Sequence, residues 1–80
     1  MELYQRVSLK NDETQYGLKK GDVATLIDFV EHPNGGGKGC VLEIINALGD
    51  TIAVITLPYD SIEPLIADEI LSVRHYSKAV

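Results

Sequence analysis

The stretch Gly17-Leu-Lys-Lys-Gly-Asp-Val-Ala-Thr-Leu-Ile-Asp-Phe-Val30 constrains this chain more than any other. A Gly–Asp turn leads into a run, Val23–Val30, that is apolar on both faces and broken only by Thr25 and Asp28. The β-branched Val23, Thr25, Ile27 and Val30, together with Phe29, favour a strand over a helix. The run opens after Gly21 and closes before Pro33, so it has the length of a strand. A strand apolar on both faces is central in its sheet or strongly bent, with a neighbour on each side. Gly21 gives the preceding turn a positive φ without a Cβ penalty. Val23–Val30 is therefore expected to be silent core, with the other strands wrapped around it.

Leu3 to Lys10 alternates, with Leu3, Gln5, Val7 and Leu9 on one face and Tyr4, Arg6, Ser8 and Lys10 on the other. That is the period of a half-buried strand. Asn11 to Lys20 is a polar loop with a short ordered piece at Tyr16–Leu18, where Leu18 plugs the loop into the core. His32-Pro-Asn-Gly-Gly-Gly-Lys-Gly39 is too rich in glycine for regular structure and reads as a mobile hairpin tip. Cys40–Asn46 is the returning strand, with Cys40, Leu42 and Ile44 inward and Glu43 outward. Ala47–Asp50 turns through Gly49. Thr51–Leu57 follows, with Ala53, Ile55 and Leu57 on one face, and Pro58 ends it for want of an N–H.

Tyr59–Pro64 is turn-rich and predicts one turn of 3₁₀ helix. Between Ala67 and Tyr76 two periods compete. Ile70, Leu71, Val73 and Tyr76 fit a helical face, while Leu71, Val73 and His75 alternate. The reading adopted is a closing edge strand at Leu71–Tyr76, followed by a frayed end over 77–80. The expected fold is all-β: a small SH3-like barrel of about five antiparallel strands with one 3₁₀ turn. It forms a single domain over 1–76.

The core of such a barrel must be aliphatic, because the chain has four Tyr, one Phe and no Trp among its 80 residues. Twelve carboxylates against seven Lys and Arg leave a net charge of −5, which repels nucleic-acid phosphates and anionic membranes. The single cysteine, Cys40, excludes an internal disulfide and fits a reducing compartment. The N-terminal residues carry no basic-then-apolar leader, and no apolar run reaches the roughly 20 residues of a membrane span. A cytoplasmic protein is expected.

The order of pieces resembles a known family. A strand Leu3–Leu9, the segment Gly17–Thr25, a hairpin, Thr51-Ile-Ala-Val-Ile-Thr-Leu57 and a closing Leu71-Ser-Val-Arg74 together look like a bacterial family, common in cyanobacteria and catalogued as domain of unknown function 4926. The resemblance covers about residues 3 to 74. It implies a stand-alone SH3-like barrel with no established activity, and it offers no catalytic motif to carry over. Genes of this type often lie beside another small gene, which implies paired proteins of toxin–antitoxin or immunity type. The Gly35–Gly37 stretch is longer than the family's usual hairpin, so no role of that tip transfers.

Catalytic and cofactor readings fail on their own chemistry. Gly35-Gly-Gly-Lys38-Gly39 suggests a phosphate loop, but His32 stands where the motif needs its first Gly and Gly39 where it needs a hydroxyl. A strand follows it, not the helix that would aim N–H groups at phosphate. His32, His75 and Cys40 do not have zinc spacing. Cys40 reads as a small buried hydrophobe, since no third group orients His32 as its base. The carboxylate pairs Asp12/Glu13, Asp60/Glu63 and Asp68/Glu69 lie in expected loops, solvated alike, which gives no split of pKa values for acid–base work. No enzyme, metal or cofactor is expected.

A binding role remains. Tyr16, Lys19 and Lys20 form the one basic–aromatic spot, and Tyr59 and Asp60 lie in a turn that such folds bring near it. The expectation is a non-enzymatic protein-interaction module that docks a protein partner through Tyr16, Lys19, Lys20, Tyr59 and Asp60. Two alternatives are an RNA-associated small barrel, against which the net charge argues, and a self-associating subunit paired through a Leu71–Tyr76 edge.

Overall fold

The computed structural model describes residues 1–31 and 37–76. Its longest strand grows from the Gly21–Asp22 turn. The strands are β1 (Arg6–Leu9), β2 (Val23–Glu31), β3 (Lys38–Ile45), β4 (Thr51–Pro58) and β5 (Ile62–Pro64). All pairings are antiparallel, in one sheet of order β4-β3-β2-β1-β5. The fold is all-β, as the sequence predicts. β2 pairs with β1 through Val23–Thr25 and with β3 through Thr25–Glu31, so it does have a neighbour on each side. The sheet is open, with β4 and β5 as its edges.

One core holds these strands together. Val7 and Leu9 of β1, Ala24 and Leu26 of β2, Cys40, Leu42 and Ile44 of β3, Ile55 and Leu57 of β4, and Ile62 of β5 form a single buried cluster with Leu18. The expected inward residues of β3 and β4 are there, Ala53 being partly buried against the cluster. The Ala47–Asp50 turn is also as expected. Gly49 has φ 90°, and the Asn46 side-chain oxygen accepts from the Leu48 and Asp50 N–H groups.

β2 is not silent core along its length. Register shifts between Leu26 and Asp28, which marks a bulge at Ile27. Ahead of the bulge Ala24 and Leu26 face inward; beyond it Phe29 lies opposite Cys40 and packs on the core, while Asp28 and Val30 are exposed. A bulge adds one residue to one strand and so switches which parity points inward. The two-faced apolar pattern is a one-faced strand whose phase changes midway.

Three further expectations are corrected. β1 begins at Arg6, because Tyr4 has φ 67° and turns the chain there, with the Gln5 N–H donating to the Glu2 carbonyl. Ser8, expected on the wet face, is buried where β1 is flanked by β2 and β5. The closing strand is β5 at Ile62–Pro64, which pairs with Val7–Leu9. Residues 71–76 run without regular structure in place of the expected edge strand. The 3₁₀ turn falls at Tyr59–Ser61 as expected, and a second lies at Thr14–Tyr16. Of the expected mobile tip, residues 32–36 lie outside the described part, as does the expected frayed end at 77–80.

Candidate functional site

The loop between β1 and β2 is ordered by local chemistry. Gly17 closes the first 3₁₀ turn with φ 69° and donates to the Thr14 carbonyl at 3.1 Å. Leu18 pairs with Glu13 in an isolated bridge and is buried at 2% exposure, the expected plug. The next turn is capped from within. The Asp22 carboxylate accepts from the Lys19 N–H at 2.8 Å, and the Asp12 carboxylate accepts from the Lys20 N–H at 2.9 Å. These bonds leave the Lys19 and Lys20 side chains exposed and Tyr16 half-buried.

Onto this loop the structure brings a group that the sequence reading did not single out. Arg74, beyond the last strand, makes a two-pronged pair with Asp22. Its Nε donates to Oδ1 at 2.8 Å, and its Nη2 to Oδ2. Nη2 also donates to the Gly17 carbonyl at 3.2 Å, and the Tyr76 hydroxyl to the Tyr16 carbonyl at 3.3 Å. The C-terminal segment is thus strapped over the loop. A hollow of about 330 Å³ lies between Asp12, Thr14 and Lys19 on one side and Arg74 and His75 on the other.

Burial pushes the Asp22 carboxyl up, but the Arg74 guanidinium and the Lys19 N–H outweigh it and hold the group below the usual carboxylate value. The hydrogen bond to Asp22 in turn raises Arg74. A carboxylate with a depressed folded pKa contributes stability above its unfolded value and loses it as pH falls through the folded one. The strap should therefore hold at neutral pH and open only in acid, as pH falls below the ordinary carboxylate range. Arg74→Ala should open it at neutral pH, shifting the Gly17 and Asp22 amide resonances. Because the pair is partly exposed, the cost to global stability should be about 1 kcal/mol or less by chemical denaturation.

Tyr59 and Asp60 lie in the second 3₁₀ turn, whose Ser61 carbonyl accepts from the Lys10 N–H at 2.9 Å. They line a second hollow, with Gly37, Lys38 and Pro58, that shares no residue with the first. The Lys38 ammonium lies 4.2 Å from the Phe29 ring centre and 5.9 Å from that of Tyr59. Cation–π attraction at such distances holds the lysine over both rings. Of the five residues expected at the surface, Lys19 thus lines the first hollow and Tyr59 and Asp60 the second. Tyr4, on no strand, is 73% exposed.

Cys40 is fully buried, and that burial pushes its thiol up against the pull of Lys38. A covered, protonated thiol is a poor nucleophile. Among the described residues no three His, Cys, Asp or Glu side chains cluster as metal ligands would. Among the described residues no helix is long and apolar enough to cross a membrane.

Among the described residues, five antiparallel strands in one open sheet, the last of three residues after a short 3₁₀ turn, with ordered loops carrying the polar chemistry, define a small all-β domain. Residues 3–64 match the model of the domain of unknown function DUF4926, and the chain belongs to that family. The match ends with β5, so Leu71–Arg74, counted in the resemblance, lies beyond it. Neither the comparison with curated proteins nor that with solved structures finds a match.

Proposed function

We propose that this chain is a non-enzymatic protein-interaction module on an SH3-like barrel, docking a protein partner through the Tyr16–Lys20 loop and the segment strapped over it. One observation carries the reading. Within Ile66–Val73, just beyond the family domain, Ile66, Ile70, Leu71 and Val73 stand in water, Ile70 at 93% and Val73 at 95% exposure. Large apolar side chains clustered in solvent mark a surface that another protein covers. Asp68 and Glu69 lie among them, so the surface suits a partner with an apolar groove and a basic rim. Arg74 fixes one end of the segment to Asp22, which lowers the ordering cost of binding.

The strand order, with first and last strands adjacent and the sheet bent at β2, supports the SH3-like reading. The narrower proposal is an antitoxin- or immunity-type role toward the product of a neighbouring gene in the bacterial cytoplasm. Tyr59 and Asp60 are proposed as a separate, smaller contact.

The test is a pull-down with co-expression of the adjacent gene product. The wild-type chain should capture a partner, and Ile70→Ser/Val73→Ser, altered only at exposed positions, should lose it while staying folded. Recovery of no partner, or undiminished capture by the variant, would sink the proposal.

A further inference from the structure

The five strands differ in one respect that bears on assembly. β1 carries Arg6, β2 Asp28 and Glu31, β3 Lys38 and Glu43, and β5 Glu63, but β4, Thr-Ile-Ala-Val-Ile-Thr-Leu-Pro, carries no charge. β4 is also an edge of the sheet, so one side of its backbone has no strand beside it among the described residues. The other edge, β5, is three residues long and holds Glu63 and Pro64, a charge and a residue without an N–H. Short, charged and proline-bearing edges resist pairing, whereas long, neutral, β-branched ones invite it.

We infer that the free edge of β4 is a self-association surface, pairing antiparallel with β4 of a second copy to give one continuous sheet across a two-fold axis. The register shift in β4 falls at its start, between the Ile44–Ala53 and Ile45–Thr51 pairs, and leaves Ala53–Leu57 regular. Under a two-fold through Ile55, Val54 faces Thr56 of the second copy on the outer side, and Ala53 faces its Leu57 on the inner side. Directly opposed residues share a face, so the two cores and the two outer rows run on across the join. Val54, now 58% exposed, and Thr56 would lose water to β-branched partners.

The second copy is preferred as occupant for two reasons. The interface is isologous, and one neutral strand suffices to complement itself. The edge is also neutral, so the net charge of −5, carried elsewhere, sets no like charges directly opposite one another at the join. The pairing does not depend on the segment proposed to bind a protein partner, since β4 and Ile66–Val73 share no residue.

Sedimentation equilibrium of the full chain over a concentration series tests this directly. The wild-type chain should show a monomer–dimer equilibrium. Val54→Lys/Thr56→Lys places four like charges at the join and should weaken the dimer by about tenfold or more, with unchanged circular dichroism. Ile70→Ser/Val73→Ser should leave it unaltered. A monomer at every concentration, or a dimer lost through the Ile70/Val73 variant but kept by the lysine variant, would overturn the inference.

Discussion

Leu42→Ala should lower the unfolding free energy by about 2–5 kcal/mol, seen as a lower urea midpoint at unchanged slope. Leu42 has 0% exposure and faces Leu26 on one neighbouring strand and Ile55 on the other. Removing its side chain leaves a void between Leu26 and Ile55, and a close-packed sheet relaxes little around such a void. A domain of this size holds about 4–12 kcal/mol in total, so the variant should lie near the edge of folding. Leu48→Ala, at an exposed position in the Ala47–Asp50 turn, should move stability by no more than about 0.5 kcal/mol. Equal midpoints for Leu42→Ala and wild type would mean that the core is not where these strands put it.

Leu18→Ala should cost nearly as much, about 2–4 kcal/mol, but should act first on the loop. Leu18 is the buried anchor of an otherwise polar connection between β1 and β2, and its backbone pairs with Glu13. Without it the loop keeps only the partial packing of Tyr16 on the core. The turn that aims Asp22 at Arg74 should loosen with it, because Lys19, which caps on Asp22, is the next residue. Amide exchange should accelerate over residues 12–20 and at Arg74 before the strands respond. Uniform loss of protection across all strands would show that Leu18 supports the whole domain and not the loop.

The candidate surface was legible in the sequence only by halves. Tyr16, Lys19 and Lys20 stand out as a basic–aromatic spot, and Gly17 and Gly21 mark the turns that shape it. Nothing local marks Arg74 as their neighbour, since 52 residues separate it from Asp22. The C-terminal segment itself was read as a strand because Leu71, Val73 and His75 alternate. Alternation decides a strand only where one face is buried, and here Leu71 and Val73 are both in water. The joining of Tyr16 with Tyr59 was an expectation drawn from barrels in general. In this chain the Lys38 ammonium sits over the rings of both Phe29 and Tyr59, a contact that expectation did not include.

By itself, the sequence determined what depends on neighbours within a few positions: the turns at Gly21 and Gly49, the inward row of Cys40, Leu42 and Ile44, the stop at Pro58, and the plug at Leu18. These follow from φ preferences, missing N–H groups and side-chain period, all of which act within a short window. Tertiary structure alone decided the phase change at Ile27, the place of Ile62–Pro64 as the last strand beside β1, and the Arg74–Asp22 strap. Each is a matter of register between strands or of contact between distant segments. A one-residue slip in register exchanges the faces of a strand without altering its composition, so only the partner strand can fix which face is buried.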